Sequence, residues 1–158
     1  FKYTAAGAVS AGTVVVFTGA NAEWTDADDA NVGTNGFVLS VSGDQVIAFQ
    51  GPSSSPTFIF AAQTNSTLWQ SGSDDSNQSD LPPGLTDGTT AVAVGAGTGA
   101  ESEFDNSQFT GSRDGADKAA VLAEVANAAN WTGDNNPITL DTTPFGNVPV
   151  ELMTFSVE

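Results

Sequence analysis

The 158-residue chain has no cysteine and no histidine, and three Lys and Arg stand against nineteen Asp and Glu, a formal net charge of −16. Each shortage excludes something. Without cysteine there are no disulfides, no thiol catalysis and no cysteine-based zinc site. Without histidine the commonest general base and the commonest transition-metal ligand are gone, and a Ser-His-Asp triad cannot be assembled. Carboxylate chemistry and hard-cation binding by oxygen ligands are what is left. The only basic residues are Lys2, Arg113 and Lys118. So acidic a chain repels phosphate backbones and anionic membrane surfaces, so neither nucleic acid nor a membrane is an expected partner. No stretch approaches the run of about 20 apolar residues that spans a bilayer. The remaining partners are cations, neutral glycans, other proteins and copies of the chain itself. The sole methionine is Met153 and the first residue is Phe1, which points to a removed leader or to a piece of something longer.

Apolar residues make up an ordinary 39%, but they fall in short β-branched or aromatic runs separated by Gly, Ser, Asn and Asp. That is the pattern of a sandwich or barrel. Expected strands are Thr13-Val14-Val15-Val16-Phe17, residues 36–41, residues 45–49, Thr57-Phe58-Ile59-Phe60-Ala61-Ala62, Thr90-Ala91-Val92-Ala93-Val94, and a last one within 148–157. Ser42-Gly43-Asp44 makes a turn that joins the second and third as a hairpin. Two long polar stretches, residues 20–35 and 70–88, interrupt the scaffold; loops of that length in a compact domain are usually functional or mobile. Residues 114–130 break the β pattern. They are rich in Ala, place Val121, Val125 and Ala128 on one face, and read as one short amphipathic helix with Asp114 as the candidate N-cap. Trp131 is expected to pack under the end of that helix.

The string Ser40-Val41-Ser42-Gly43-Asp44-Gln45-Val46-Ile47-Ala48-Phe49 is similar to a hairpin of bacterial lamin-tail-like domains, and Ala11-Gly12-Thr13 with the Val14-Val15-Val16-Phe17 that follows resembles a strand of the same group. The runs 81–95, 118–125 and 129–132 extend the likeness, which covers roughly residues 3–140. The resemblance implies an immunoglobulin-like antiparallel β-sandwich, an accessory domain of exported bacterial proteins that carries no catalytic residues. Relatives of this kind begin earlier, so N-terminal strands are expected to be missing, either cut off or supplied by a neighbouring chain through strand addition. The tail, residues 148–158, looks like the segment that precedes the final modules of Bacteroidetes proteins exported by the type nine route, as a final strand or a linker. It implies the cell surface or the medium. Asp141-Thr142-Thr143 resembles the O-glycosylation motif of those bacteria, which makes Thr142 a candidate modification site. The sequons at Asn65, Asn77 and Asn130 are read as chance in a bacterium.

Three candidate chemistries follow from the residues. Calcium takes six to eight oxygens and suits acidic flexible loops. Asp26, Asp28 and Asp29, with Asn31 beside them, form one such run, and Asp74, Asp75 and Asp80 another, though neither has EF-hand spacing. Glycan binding needs aromatic platforms flanked by polar groups; Trp24 in its acidic loop, with Asp26, Asp28, Asp29 and Asn31, is the best candidate, whereas Trp69 and Trp131 read as core. A glycosidase needs two carboxylates across a cleft, and among nineteen acidic residues some pair is inevitable, so pairing carries little weight. The expectation is a single non-catalytic β-sandwich domain over 1–158, extracellular, structural or adhesive, with copies of itself, neighbouring modules of a parent protein or surface glycans as partners. Assembly into a filament or surface layer is one form of this. A calcium-dependent glycan-binding module is the alternative.

Overall fold

The computed structural model describes residues 2–3, 6–16, 24–25, 40–52, 54–72, 80–99 and 102–146. It is mainly β, with one short helix. The order is β1 (Lys2–Tyr3), β2 (Trp24–Thr25), β3 (Gln45–Gln50), β4 (Thr57–Gln63), β5 (Ala91–Ala93), β6 (Asn106–Phe109), α1 (Lys118–Ala126), a 3₁₀ turn over Ala128–Asn130, and β7 (Trp131–Asp134). Among the described residues three sheets are formed: β1 with β2, β3-β4-β5, and β6 with β7.

The central sheet is built on β4. It pairs antiparallel with β3 (Ile47 opposite Ala61) and parallel with β5 (Ala61 opposite Ala91). The expectation of an antiparallel sandwich therefore fails at this pair. A parallel neighbour needs a long crossover, and here residues 64–90 supply it. The β3–β4 register slips between Ala48 and Phe49, a bulge that adds local twist. Burial rises across the sheet. Along β3, Val46 and Phe49 are exposed, whereas all three residues of β5 are buried. Small side chains explain the buried side. Ala61, Ala91, Ala93 and Ala126 are all almost wholly inaccessible, and their methyl groups let α1 approach β5 closely.

The crossover begins with a buried polar corner. Gln63, Asn65 and Ser66 have no exposed surface, so their polar atoms need partners. Asn65 Nδ2 donates to the Ser42 carbonyl at 2.8 Å, Ser66 Oγ and Gln63 Nε2 each donate to the Leu68 carbonyl at 2.5 Å, and Gln70 Nε2 donates to Ser66 Oγ at 3.1 Å. Two glycines flank this corner. A Cβ on Gly43 (φ +82°) would lie 2.6 Å from Asn65 Cα, and one on Gly95 would lie no more than 2.6 Å from the N, Cα and C of Ser66. Only glycine allows both approaches.

A second cluster organises the C-terminal third. Phe109 meets Trp131 edge-on at 5.7 Å and stacks on Phe145 at 5.6 Å. The Arg113 guanidinium lies 5.7 Å from the Phe109 ring and 5.0 Å from the Phe145 ring. Trp131 Nε1 donates to the Val125 carbonyl at 2.9 Å, so the tryptophan does sit under the helix end as expected. The helix itself is shorter than 114–130. Its N-cap is Asp117, whose carboxylate accepts from Ala120 N at 2.8 Å, not Asp114. Gly115 packs directly under Val121, and Asp114 pairs with Gly146, which holds residues 114–116 out of the helix. At the other end Asn127 is extended, and Asn130 Nδ2 closes the last turn on the Glu124 carbonyl at 3.0 Å.

Of the expected strands, those at 45–49, 57–62 and 90–94 correspond to β3, β4 and β5. Residues 13–16 alternate exposed and half-buried without strand geometry, and Thr13 turns back through both its N–H and its hydroxyl onto the Ser10 carbonyl. Val41 and Ser42 form a turn, with Val41 74% exposed, so the strand expected over 36–41 does not reach its end. Phe17, residues 36–39 and the segment 148–158 lie outside the described residues.

Candidate functional site

Of the acidic-loop candidates, Asp26, Asp28, Asp29, Asn31, Asp74 and Asp75 lie outside the described residues. Trp24 is in β2, where its backbone is opposite Tyr3. Asp80 is exposed and pairs through its backbone with Gln70 in an isolated parallel bridge. Among the described residues no three Asp or Glu come together in a way that would hold a metal ion.

Thr142 is exposed, in a turn fixed at both flanks. Asp141 accepts from Thr143 N at 2.8 Å, and Arg113 donates to Asp141 at 3.1 Å and to the Thr143 carbonyl at 2.9 Å. Hydrogen bonds from the Thr143 side chain and backbone, joined by the Arg113 charge, hold the Asp141 carboxyl below its ordinary range. The hydroxyl of Thr142 is thus presented on a rigid turn. The sequons differ. Asn65 is fully buried and Asn130 is committed to Glu124, so neither amide is open to modification in the folded chain. Asn77 lies outside the described residues.

A third place has no local signature in the chain. Where α1 leans on β5, a cleft of about 420 Å³ opens between Thr67, Asp87, Gly88, Ala93, Ala123, Ala126, Asn127 and Ala128. Its floor is the buried pair Ala93 and Ala126. Its rim is polar and well anchored. The Thr86 carbonyl accepts from Thr89, Thr90 and Ala91 at 3.1, 2.8 and 3.1 Å, and Gly88 N donates to the Ala91 carbonyl at 2.9 Å. This closes a rigid loop that carries Asp87, one of whose oxygens accepts from Gly88 N at 3.1 Å. Asn127 Oδ1 caps the 3₁₀ turn by accepting from Ala129 N at 3.1 Å. Thr67 N donates to the Gly97 carbonyl at 2.8 Å. A turn signal at Asp87-Gly88 and a helix-ending Asn127 are visible in the chain, but only the parallel β4–β5 pairing brings them to one place.

No family model matches the chain, and no curated protein or solved structure resembles it significantly.

Proposed function

We propose that the chain is a non-catalytic structural or adhesive module on the outside of a bacterium, with an immunoglobulin-like sandwich arrangement, which associates with copies of itself. The observation that carries this is the outer side of the central sheet. Among the described residues β3 is the end strand of its sheet, and Val46 and Phe49 on β3 and Ile59 on β4 are 48%, 38% and 46% exposed. A strand edge bearing apolar side chains is a template for pairing with another chain. The lamin-tail likeness of residues 40–49 supports the immunoglobulin-like arrangement, since its Ser-Gly-Asp turn leads directly into β3, and the likeness of the tail supports export. The high negative charge keeps such a surface soluble and makes association sensitive to salt and divalent cations.

Light scattering in a calcium-containing, seawater-like buffer tests the reading. Large or polydisperse particles are expected, and Val46→Lys, which places a charge on the outer strand, should return the chain to monomer. A clean monomer of the unaltered chain in that buffer refutes self-association.

A further inference from the structure

The α1–β5 cleft has the chemistry of a site for neutral polyols, and we propose that it binds one or two sugar units of an uncharged glycan, a function separate from self-association and independent of calcium. Three of its side chains have open hydrogen-bonding capacity after their structural bonds are counted. Asp87 uses one carboxylate oxygen on Gly88 N, leaving the other as an acceptor. Asn127 uses Oδ1 on Ala129 N, which fixes the amide and leaves its NH₂ as a donor. The Thr67 hydroxyl, which can both donate and accept, lines the same cleft. A sugar hydroxyl donates one bond and accepts others, so a carboxylate beside an amide NH₂ satisfies both halves of it.

The floor completes the match. Exposed Ala123 and Ala128 give a small apolar surface suited to the C–H face of a pyranose without adding charge, above the buried Ala93 and Ala126. The volume of about 420 Å³ is within the usual size of small-ligand sites. Asp87 is the only charged side chain in the lining. Among the described residues the lining offers an anionic ligand no cation and a di- or polyamine no second carboxylate. A neutral ring with several hydroxyls uses every group present. The rim is held by backbone hydrogen bonds, so little ordering is needed on binding.

The test uses the full chain, isotope-labelled, titrated with glucose, galactose, mannose, N-acetylglucosamine and maltose, and separately with putrescine, each to tens of millimolar, with and without a calcium chelator. At least one neutral sugar is expected to move the amide signals of Thr67, Gly88, Ala93 and residues 126–128, with the same response in chelator. Asp87→Asn keeps the shape but weakens the acceptor and should reduce affinity about tenfold. Ala123→Leu, at an exposed helix position, fills the cleft while preserving the helix and should abolish the response without changing oligomeric state. No response to any sugar, a response to putrescine alone, or sugar binding that survives Ala123→Leu overturns the proposal.

Discussion

Replacing Gly95 by alanine tests the buried corner of the central sheet directly. The new methyl group would press on three backbone atoms of Ser66 at 2.6 Å or less, and backbone cannot turn aside as a side chain does. Ser66 is itself fully buried and holds Leu68 and Gln70 through its hydroxyl, so it cannot move without breaking those bonds. Overpacking of this kind costs about 1–3 kcal/mol, and the backbone contact places Gly95→Ala near 3 kcal/mol. Gly43→Ala meets the Asn65 backbone at 2.6 Å and adds a positive φ, for a loss of about 4 kcal/mol. Two other glycines calibrate the series. Gly84 has a positive φ but no atom within 4 Å of a Cβ, so alanine there costs about 1 kcal/mol of backbone strain. Gly7 has neither restriction, and alanine there is neutral or slightly stabilising. Urea unfolding followed by the fluorescence of the three tryptophans gives each difference, and thermal melts should show Gly95→Ala about 6–12 °C below the parent. If Gly95→Ala unfolds within about 1 kcal/mol of Gly84→Ala, the close crossing of residues 65–66 and Gly95 is refuted.

Arg113→Met keeps the aliphatic stem but removes the charge beside the Phe109 and Phe145 rings and the bond to the Thr143 carbonyl. A loss of about 2–3 kcal/mol is expected, with faster amide exchange at residues 143–146; unchanged exchange there would show that the arginine does not pin this segment. Asp117→Ala should cost about 1 kcal/mol through the lost helix cap, whereas Asp114→Ala leaves the helix signal in circular dichroism unchanged, and the reverse ranking would restore Asp114 as the cap. Hydrogen bonds from the Asn136 backbone and side chain lower the Asp134 carboxyl, as those from Thr143 lower Asp141. A carboxyl lowered in the folded state stabilises above its unfolded value and loses that contribution as pH falls through the folded one. The parent should therefore be more stable than Asp134→Asn or Asp141→Asn near neutrality, with the gap closing below about pH 4. A gap in urea midpoint that persists at pH 2 contradicts this assignment.

What could be read in the chain, and what could not, follows from where the information lies. β3, β4 and β5 were legible because Val46-Ile47, Phe58-Ile59-Phe60 and Ala91-Val92-Ala93 are locally apolar runs bounded by turn residues. β6 was not, because Asn106-Ser107-Gln108 has no apolar alternation; these residues are a strand because Trp131–Asp134 lies alongside, with Trp131 opposite Phe109. The helix was legible but its start was not, since Asp114 and Asp117 are equally good caps by type and only the contact of Gly115 with Val121 decides between them. The parallel direction of β5 has no local signature at all. It rests on small residues meeting across the sheet and on α1 covering them. The cleft was hidden for the same reason, because Thr67, Asp87 and Asn127 are far apart until β5 takes its place beside β4.

The crossover that makes β5 parallel also sets where the chain tolerates change. Its closure is divided into smaller steps: Gln70 pairs with Asp80, and the Thr86 carbonyl gathers residues 89–91 into a tight turn. Once these contacts form, β4 and β5 are joined through short tethers, and the sheet does not register how much chain lies between residues 70 and 80. Loop closure grows only logarithmically with length, about 0.6 kcal/mol for each doubling. A peptide tag or a whole guest domain spliced between those two residues would leave the sheet standing, which makes that interval the natural port for displaying cargo on this scaffold.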